Sequence, residues 1–410
     1  MRIAGFARIA QALRHRDFAI YISGNSISLV GTWMQRIAVG WLIWDLTGSG
    51  AWLGLVAFAD LFPAMVFAPV GGAVADRHDR RRVVLVTQTA AMVQSLALFA
   101  FTATGAITPF WLLVLTLVHG IIIGFNQPAR MALVPSLMPA EILPTALAVN
   151  AIIFNVARFL GPALAGLIIV AAGVAPAFLC NALSFLAFIV SLLLIRPSGG
   201  PAVAGRRRSL RLDVAEGVGY AARHPGIGPL LVLQATMALC VRPVVELLPG
   251  FAAGVFGRGA DGLAMLSSTI GLGAIAGGLW LAGREARDGL TRIAVGGAAF
   301  VALSILGFSA APTFWVALTF AALTGASLVV TGVGMQTLIQ LSVDGAVRGR
   351  VLSLYGMIIR GGPAFGALLI GGLADLVGFR WPLAIGAVAT LAVWAVFWRR
   401  REALRRALEG

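Results

Sequence analysis

Residues 71–84 read GGAVADRHDRRRVV, a short charged run between two long apolar ones. Upstream, residues 52–75 hold one ionisable group, Asp60, and downstream residues 83–104 hold none. Apolar stretches of about 20 residues are long enough to cross a bilayer as helices. The run 76–82 therefore reads as the turn between two membrane spans, carrying Asp76, Arg77, Asp79, Arg80, Arg81 and Arg82.

The rest of the chain repeats this pattern. Of 410 residues, 59% are hydrophobic and 11% charged, against about 25% charged in soluble domains. Twelve spans are expected, at 18–44, 52–75, 83–104, 110–132, 146–171, 176–195, 228–250, 262–282, 292–310, 313–338, 350–374 and 381–398. An even number puts both termini on one side.

Arginine placement says which side. Every basic residue is arginine, and the arginines gather in alternate loops. They include Arg2, Arg8, Arg14 and Arg16 in the lead, Arg77 and Arg80–Arg82 in the first loop, and Arg206–Arg208 in the central segment. Arg284 and Arg287, Arg348 and Arg350, and Arg399–Arg401, Arg405 and Arg406 continue the series. The opposite loops hold only Arg258 and Arg380. Positive charge stays inside, so both termini are expected in the cytoplasm, in a cytoplasmic (inner) membrane. The net charge of +15 reflects this topology, and no nucleic-acid partner is expected. The lead lacks the apolar core and cleavage site of a signal peptide.

The one long polar stretch, 196–227, divides six spans from six. The expected domains are a six-helix bundle at 1–195, a cytoplasmic linker at 196–227 whose residues 209–222 suit an amphipathic helix, a second bundle at 228–398, and a basic tail at 399–410. ARFLGPALAG (157–166) and IIRGGPAFGA (358–367) are similar, each with an arginine before Gly-Pro. Paired six-span repeats with a substrate site between them are one plan for a secondary transporter.

The loop 71–84 resembles the signature of the major facilitator superfamily, through Gly72, Asp76, Arg77, Arg80, Arg81 and Arg82. Asp79 stands where that family usually has glycine. The resemblance implies a gating loop, with Gly72 allowing close helix approach and Asp76 pairing with arginines or capping a helix. A positive-inside loop alone explains Arg80–Arg82 but not the Gly–Asp–Arg spacing. Gly161, Pro162 and Gly166 resemble the Gly-Pro motif of the superfamily's proton antiporters, which implies export; small residues also serve plain packing. Residues 126–166 and RGRVLSLYGM (348–357) resemble the secretion-effector subgroup that includes the enterobactin exporter, which implies siderophores or drugs as substrates.

Charge inside a span costs about 2.5–3.5 kcal/mol on insertion scales. Arg36, Asp60, Arg158, Arg242, Glu246 and Arg360 are so placed. Asp60 and Glu246 are the proton-coupling candidates, the other reading being permanent ion pairs. In depth, Arg36 matches Asp60, while Arg242 and Glu246 stand four apart on one helix. Arg36, Arg158, Arg242 and Arg360, with Trp33, Gln35 and His119, are the substrate-cavity candidates; Arg158 and Arg360 alternatively serve backbone freed by prolines, Trp33 an interfacial aromatic belt, and His119 plain packing. The chain is expected to be a monomeric secondary exporter, not an enzyme, with a small molecule and protons as partners and no metal or cofactor. Import, facilitation, or a non-transporting sensor or assembly role are the alternatives.

Overall fold

The computed structural model describes residues 11–196, 210–284, 289–345 and 347–409. Arg2, Arg8, Arg206–Arg208 and Arg287, counted above for topology, lie outside them. Among the described residues there is no strand.

The long helices, in chain order, are α1 (Arg16–Thr47), α2 (Gly50–Arg77), α3 (Arg80–Ala103), α4 (Pro109–Leu133), α5 (Leu143–Ala172) and α6 (Ala175–Leu194). Then come α7 (Leu210–Arg223), α8 (Ile227–Cys240), α9 (Ala260–Ala282), α10 (Leu290–Ala310), α11 (Phe314–Ser342), α12 (Arg348–Val377), α13 (Arg380–Arg399) and α14 (Arg401–Glu409). Among the described residues, eleven helical segments are long and apolar enough to cross a membrane. The remaining span, α1, has the length at 32 residues. It falls short in apolarity because it carries Asn25, Ser26, Ser28, Thr32, Gln35 and Arg36.

The chain forms two compact units, Met1–Thr47 with Phe62–Gly205, and Gly48–Leu61 with Arg206–Gly410. In the first unit, α1 packs on α5 and α6, and α3 on α4 and α6. Phe18, Tyr21, Phe188 and Leu192 form part of its buried core, with Tyr21 and Phe188 edge to face at 5.5 Å. A ladder of buried amides and hydroxyls also ties the helices together. Gln88 Nε2 donates to Ser28 Oγ at 3.1 Å, and Asn126 Nδ2 to Thr87 Oγ1 at 2.8 Å. Hydrocarbon offers such groups no partner, so they bond across helices.

In the second unit, α11 packs on α9 and α10, and α12 on α8. STIGLGAIAGG (268–278) is a packing stripe, as its glycines suggested. A Cβ on Gly277 would stand 2.5 Å from the Ala326 carbonyl oxygen. The seventh span, expected as one helix over 228–250, stops at Cys240. It continues as a 3-10 turn over Arg242–Val245 and a π turn over Phe251–Val255. Pro243 and Pro249 lack the N–H that would continue an α-helix.

The amphipathic helix expected in the linker is α7. It docks on α12, with the Arg350–Glu216 ion pair at 2.5 Å and the Tyr220 hydroxyl donating to Asp344 at 3.3 Å. The final helix α14 buries Leu404 and Leu408. Its Glu409 accepts from the N–H groups of Gly289 at 3.2 Å and Thr291 at 2.6 Å, closing the start of α10.

Candidate functional site

The site begins with a missing side chain. A Cβ on Gly161 would stand 2.5 Å from Trp33 Cβ and 2.9 Å from the Val30 carbonyl oxygen. Glycine at 161 therefore lets α5 lie against α1 at Trp33. Pro162 follows inside α5, buried with Gly166 and Ala165.

That approach assembles a cluster. The Arg36 guanidinium lies 5.5 Å from the centre of the Trp33 ring, and the Arg158 guanidinium 5.7 Å. Phe154 meets the indole edge to face at 5.8 Å and is itself 41% exposed. Trp33 and Arg36 are three apart on α1, and Phe154 and Arg158 four apart on α5, so each pair shares a helix face. Cations over an indole gain about 0.5–2 kcal/mol each, more as water is excluded. Two guanidinium groups beside two aromatic rings suit a ligand that carries negative charge next to a flat apolar surface. The structure thus brings together Trp33, Arg36 and Arg158, which lie 125 residues apart in sequence at the extremes.

Gln35 is a correction. Expected on the cavity wall, it is 4% exposed. Its amide donates to Gln94 at 3.1 Å and accepts from Ser95 at 2.8 Å and Asn181 at 2.7 Å. It fastens α1 to α3 and α6 because position 35 points a different way from 33 and 36 on the helix. His119 is half-buried on α4.

In the second unit the end of α8 at Cys240 and the 3-10 turn after it reposition Arg242 and Glu246. They do not share a helix face, since Arg242 opens the 3-10 turn and Glu246 closes it. Arg242 interacts electrostatically with both Tyr355 and Glu246. Tyr355 in turn donates its hydroxyl to the Gly332 carbonyl at 2.7 Å. Arg360 is half-buried on α12, just before the buried Gly361. Tyr355 was missed in the sequence reading; its only signal was a phenol within the apolar run 350–374. Asp60 is half-buried on α2.

The loop at 71–84 is built differently from its expected chemistry. The close approach is made by Gly71, where a Cβ would press on the Gly124 carbonyl and lie 2.7 Å from Phe125 Cα; Gly72 has room, with Pro128 Cβ 4.0 Å away. Asp76 and Arg77 lie exposed on the last turns of α2. Asp79, the departure from the family pattern, accepts from Arg82 N at 3.1 Å and caps α3. Arg80 donates to the Ala132 carbonyl at 3.1 Å. Arg81 donates to the carbonyls of Leu192 at 2.5 Å and Leu193 at 2.9 Å. Those carbonyls close α4 and α6, where helix ends leave acceptors unpaired and carry partial negative charge.

Residues 8–407 match the family described as transmembrane secretion effector. The chain belongs to that family. It is a multi-pass membrane transporter of the major facilitator superfamily, not an enzyme. A staphyloferrin A transporter of Staphylococcus aureus is 23% identical over 95% of the chain and 97% of its own length. A macrolide efflux protein of Streptococcus pyogenes is 23% identical over 87% and 89%. An enterobactin exporter of Escherichia coli is 27% identical over 88% and 86%. The fold is that of the nucleoside transporter NupG, with a TM-score of 0.72 at 12% identity over 94% of this chain and 99% of that one.

Proposed function

We propose that this family member exports a small anionic, ring-bearing molecule of the siderophore class across the cytoplasmic membrane in exchange for protons. The observation that carries the reading is the Trp33 indole with the Arg36 and Arg158 guanidinium groups both within 6 Å of its centre. Guanidinium groups beside an aromatic surface suit an anion, and the indole and Phe154 favour a flat one. The siderophore-handling relatives agree with that chemistry. Arg242 and Arg360 carry further positive charge within the second unit. Asp60 and Glu246 carry the protons: a carboxylate held between desolvation and a nearby arginine changes its proton affinity when either changes. The bundles 1–195 and 228–398, joined by the linker 196–227, rock to alternate access, and the arginine-rich loops and both termini face the cytoplasm. The chain acts as a monomer.

Proteoliposomes holding the purified chain test this with enterobactin, staphyloferrin A and erythromycin as probes. Siderophore movement driven by an imposed pH gradient is expected, toward the side opposite the arginine-rich loops. Movement indifferent to the gradient removes proton coupling. Movement of erythromycin in preference to both siderophores removes the anionic substrate.

A further inference from the structure

Where α13 gives way to α14 the chain carries consecutive cations: Arg399, Arg400 and Arg401 are all exposed. The chain turns at Arg400, between the two helices. Beyond the turn, α14 is anchored by its apolar side. Leu404 and Leu408, one turn apart, are buried. A Cβ on Gly226, just before α8, would lie 2.6 Å from Leu408 Cγ. Ser342, at the end of α11, donates its hydroxyl to the Leu408 carbonyl at 2.7 Å. Glu409 accepts from the first N–H groups of α10. These contacts fix the orientation of α14, so its arginines stand on a rigid support.

Two tryptophans mark the depth of this cluster. Trp398 lies in the last turn of α13, with its ring centre 5.5 Å from that of Trp394 one turn deeper. Tryptophan at the end of an apolar span sits at the level of the lipid headgroups. The Arg401 guanidinium lies 5.0 Å from the centre of the Trp398 ring and donates to the Trp398 carbonyl at 3.3 Å. The same indole reaches α10, where a Cβ on Gly296 would lie 3.5 Å from it. Arg292 is exposed four residues before Gly296, on the same face of α10, and adds a further guanidinium. The carboxylates of α14 are already engaged: Glu402 pairs with Arg405 at 3.1 Å, and Glu409 serves α10. An excess of positive charge is thus held at one place at the membrane edge, and its mutual repulsion is relieved by a counter-anion. A phosphate diester suits it, because guanidinium binds phosphate through paired hydrogen bonds. Acyl chains hold such a phosphate at the depth of the indole, and arginine clusters beside a span attract acidic lipid.

We propose that this edge of the second unit is a binding site for an acidic phospholipid, whose phosphate rests on Arg292, Arg399, Arg400 and Arg401 beside Trp398. Lipid binding here does not depend on what the protein carries, so it stands or falls separately from the export reading. Full-length protein in detergent is titrated with phosphatidylglycerol and, separately, with phosphatidylcholine of the same acyl chains, and bound lipid is counted by native mass spectrometry. The parent is expected to bind phosphatidylglycerol more tightly than phosphatidylcholine. Combining Arg292→Gln, Arg399→Gln and Arg400→Gln is expected to weaken phosphatidylglycerol binding several-fold and to leave phosphatidylcholine binding unchanged. Arg14→Gln, Arg16→Gln and Arg82→Gln together remove as much charge from the first unit, and are expected to have a much smaller effect. Melting without lipid confirms that both triple variants are folded. As a second readout, phosphatidylglycerol is expected to raise the melting temperature of the parent and not that of the first triple variant. Equal phosphatidylglycerol affinity in the parent and the first triple variant overturns the site, as does an equal loss in both triple variants or an equal loss for phosphatidylcholine. Displacement of the lipid by the same concentration of inorganic phosphate overturns it as well, since the site would then take any free anion.

Discussion

Gly161 and Trp33 are in contact through the absence of a side chain: a Cβ at 161 would sit 2.5 Å from Trp33 Cβ. Everything that makes the first-unit cluster depends on this approach of α5 to α1. Gly161→Leu forces the helices apart, and overpacking of this kind costs about 1–3 kcal/mol. A lower melting temperature and loss of siderophore transport are expected, with Gly161→Ala intermediate in both. A Gly161→Leu protein that melts and transports like the parent would show that the approach is dispensable.

Arg36 and Arg158 both lie within 6 Å of one indole centre, and at each of them charge and shape are separable. Arg158→Lys keeps the charge and gives up the planar group; Arg158→Gln gives up both. The half-saturating concentration of enterobactin is expected to rise about tenfold in the glutamine variant, the equivalent of about 1.4 kcal/mol, and less in the lysine variant. Transport titrations in proteoliposomes measure both. Arg36→Gln is expected to match Arg158→Gln.

Glu246→Gln retains shape and hydrogen bonding and removes the titrating group. If Glu246 exchanges its proton during the cycle, this variant binds siderophore but no longer responds to a pH gradient. Undiminished gradient-driven transport would make the Arg242–Glu246 interaction a fixed structural one.

Arg81 closes α6 through two carbonyls, Leu192 and Leu193. A hydrogen bond from a charged group contributes about 1.5–3 kcal/mol. Arg81→Ala is expected to lower the melting temperature, while Arg82→Ala, at an exposed position, leaves it nearly unchanged. Calorimetry or fluorescence melting in detergent distinguishes the two.

His224 lies between α7 and α8. Its Nδ1 accepts from the N–H groups of Gly226 at 3.1 Å and Ile227 at 3.2 Å, which requires that nitrogen to be unprotonated. Burial pushes its imidazole below the ordinary histidine value, with Asp344 opposing. The unfolded state thus binds the proton more readily than the folded one. The stabilisation is fully present above the unfolded value of about 6.5 and is lost as pH falls through the lower folded value. Amide protection across 220–230, after correction for the intrinsic pH dependence of exchange, is expected to fall on acidification in the parent and to lose that dependence in His224→Gln.

Several features were legible before any coordinates. The spans, the amphipathic linker helix and the glycine stripe at 268–278 follow from periodicity and composition, because hydrocarbon requires apolar runs and internally bonded backbone. Arg36 and Arg158 were legible as out-of-place residues, since a charge is costly in a span unless something uses it, and Trp33 by its depth among the aromatic residues of the first span. Gln35 was misread for a specific reason: a polar residue in a span must find a partner, but its sequence does not say whether that partner is a ligand or Asn181. Gly72 was misread in the same way, because Gly71 beside it has identical chemistry and differs only in which direction its missing Cβ would point.

By itself, then, the amino-acid order determined where most of the long apolar helices lie and the few residues that hydrocarbon would not tolerate without a role. These are one-dimensional consequences of transfer energy. Which of those residues meet was decided only by tertiary structure. Trp33 lies near two guanidinium groups, Arg81 reaches the end of α6, and Asp375 closes a helix more than 300 residues away in the chain. Such pairings depend on helix rotation and on where glycines let backbones touch, and no local pattern encodes either.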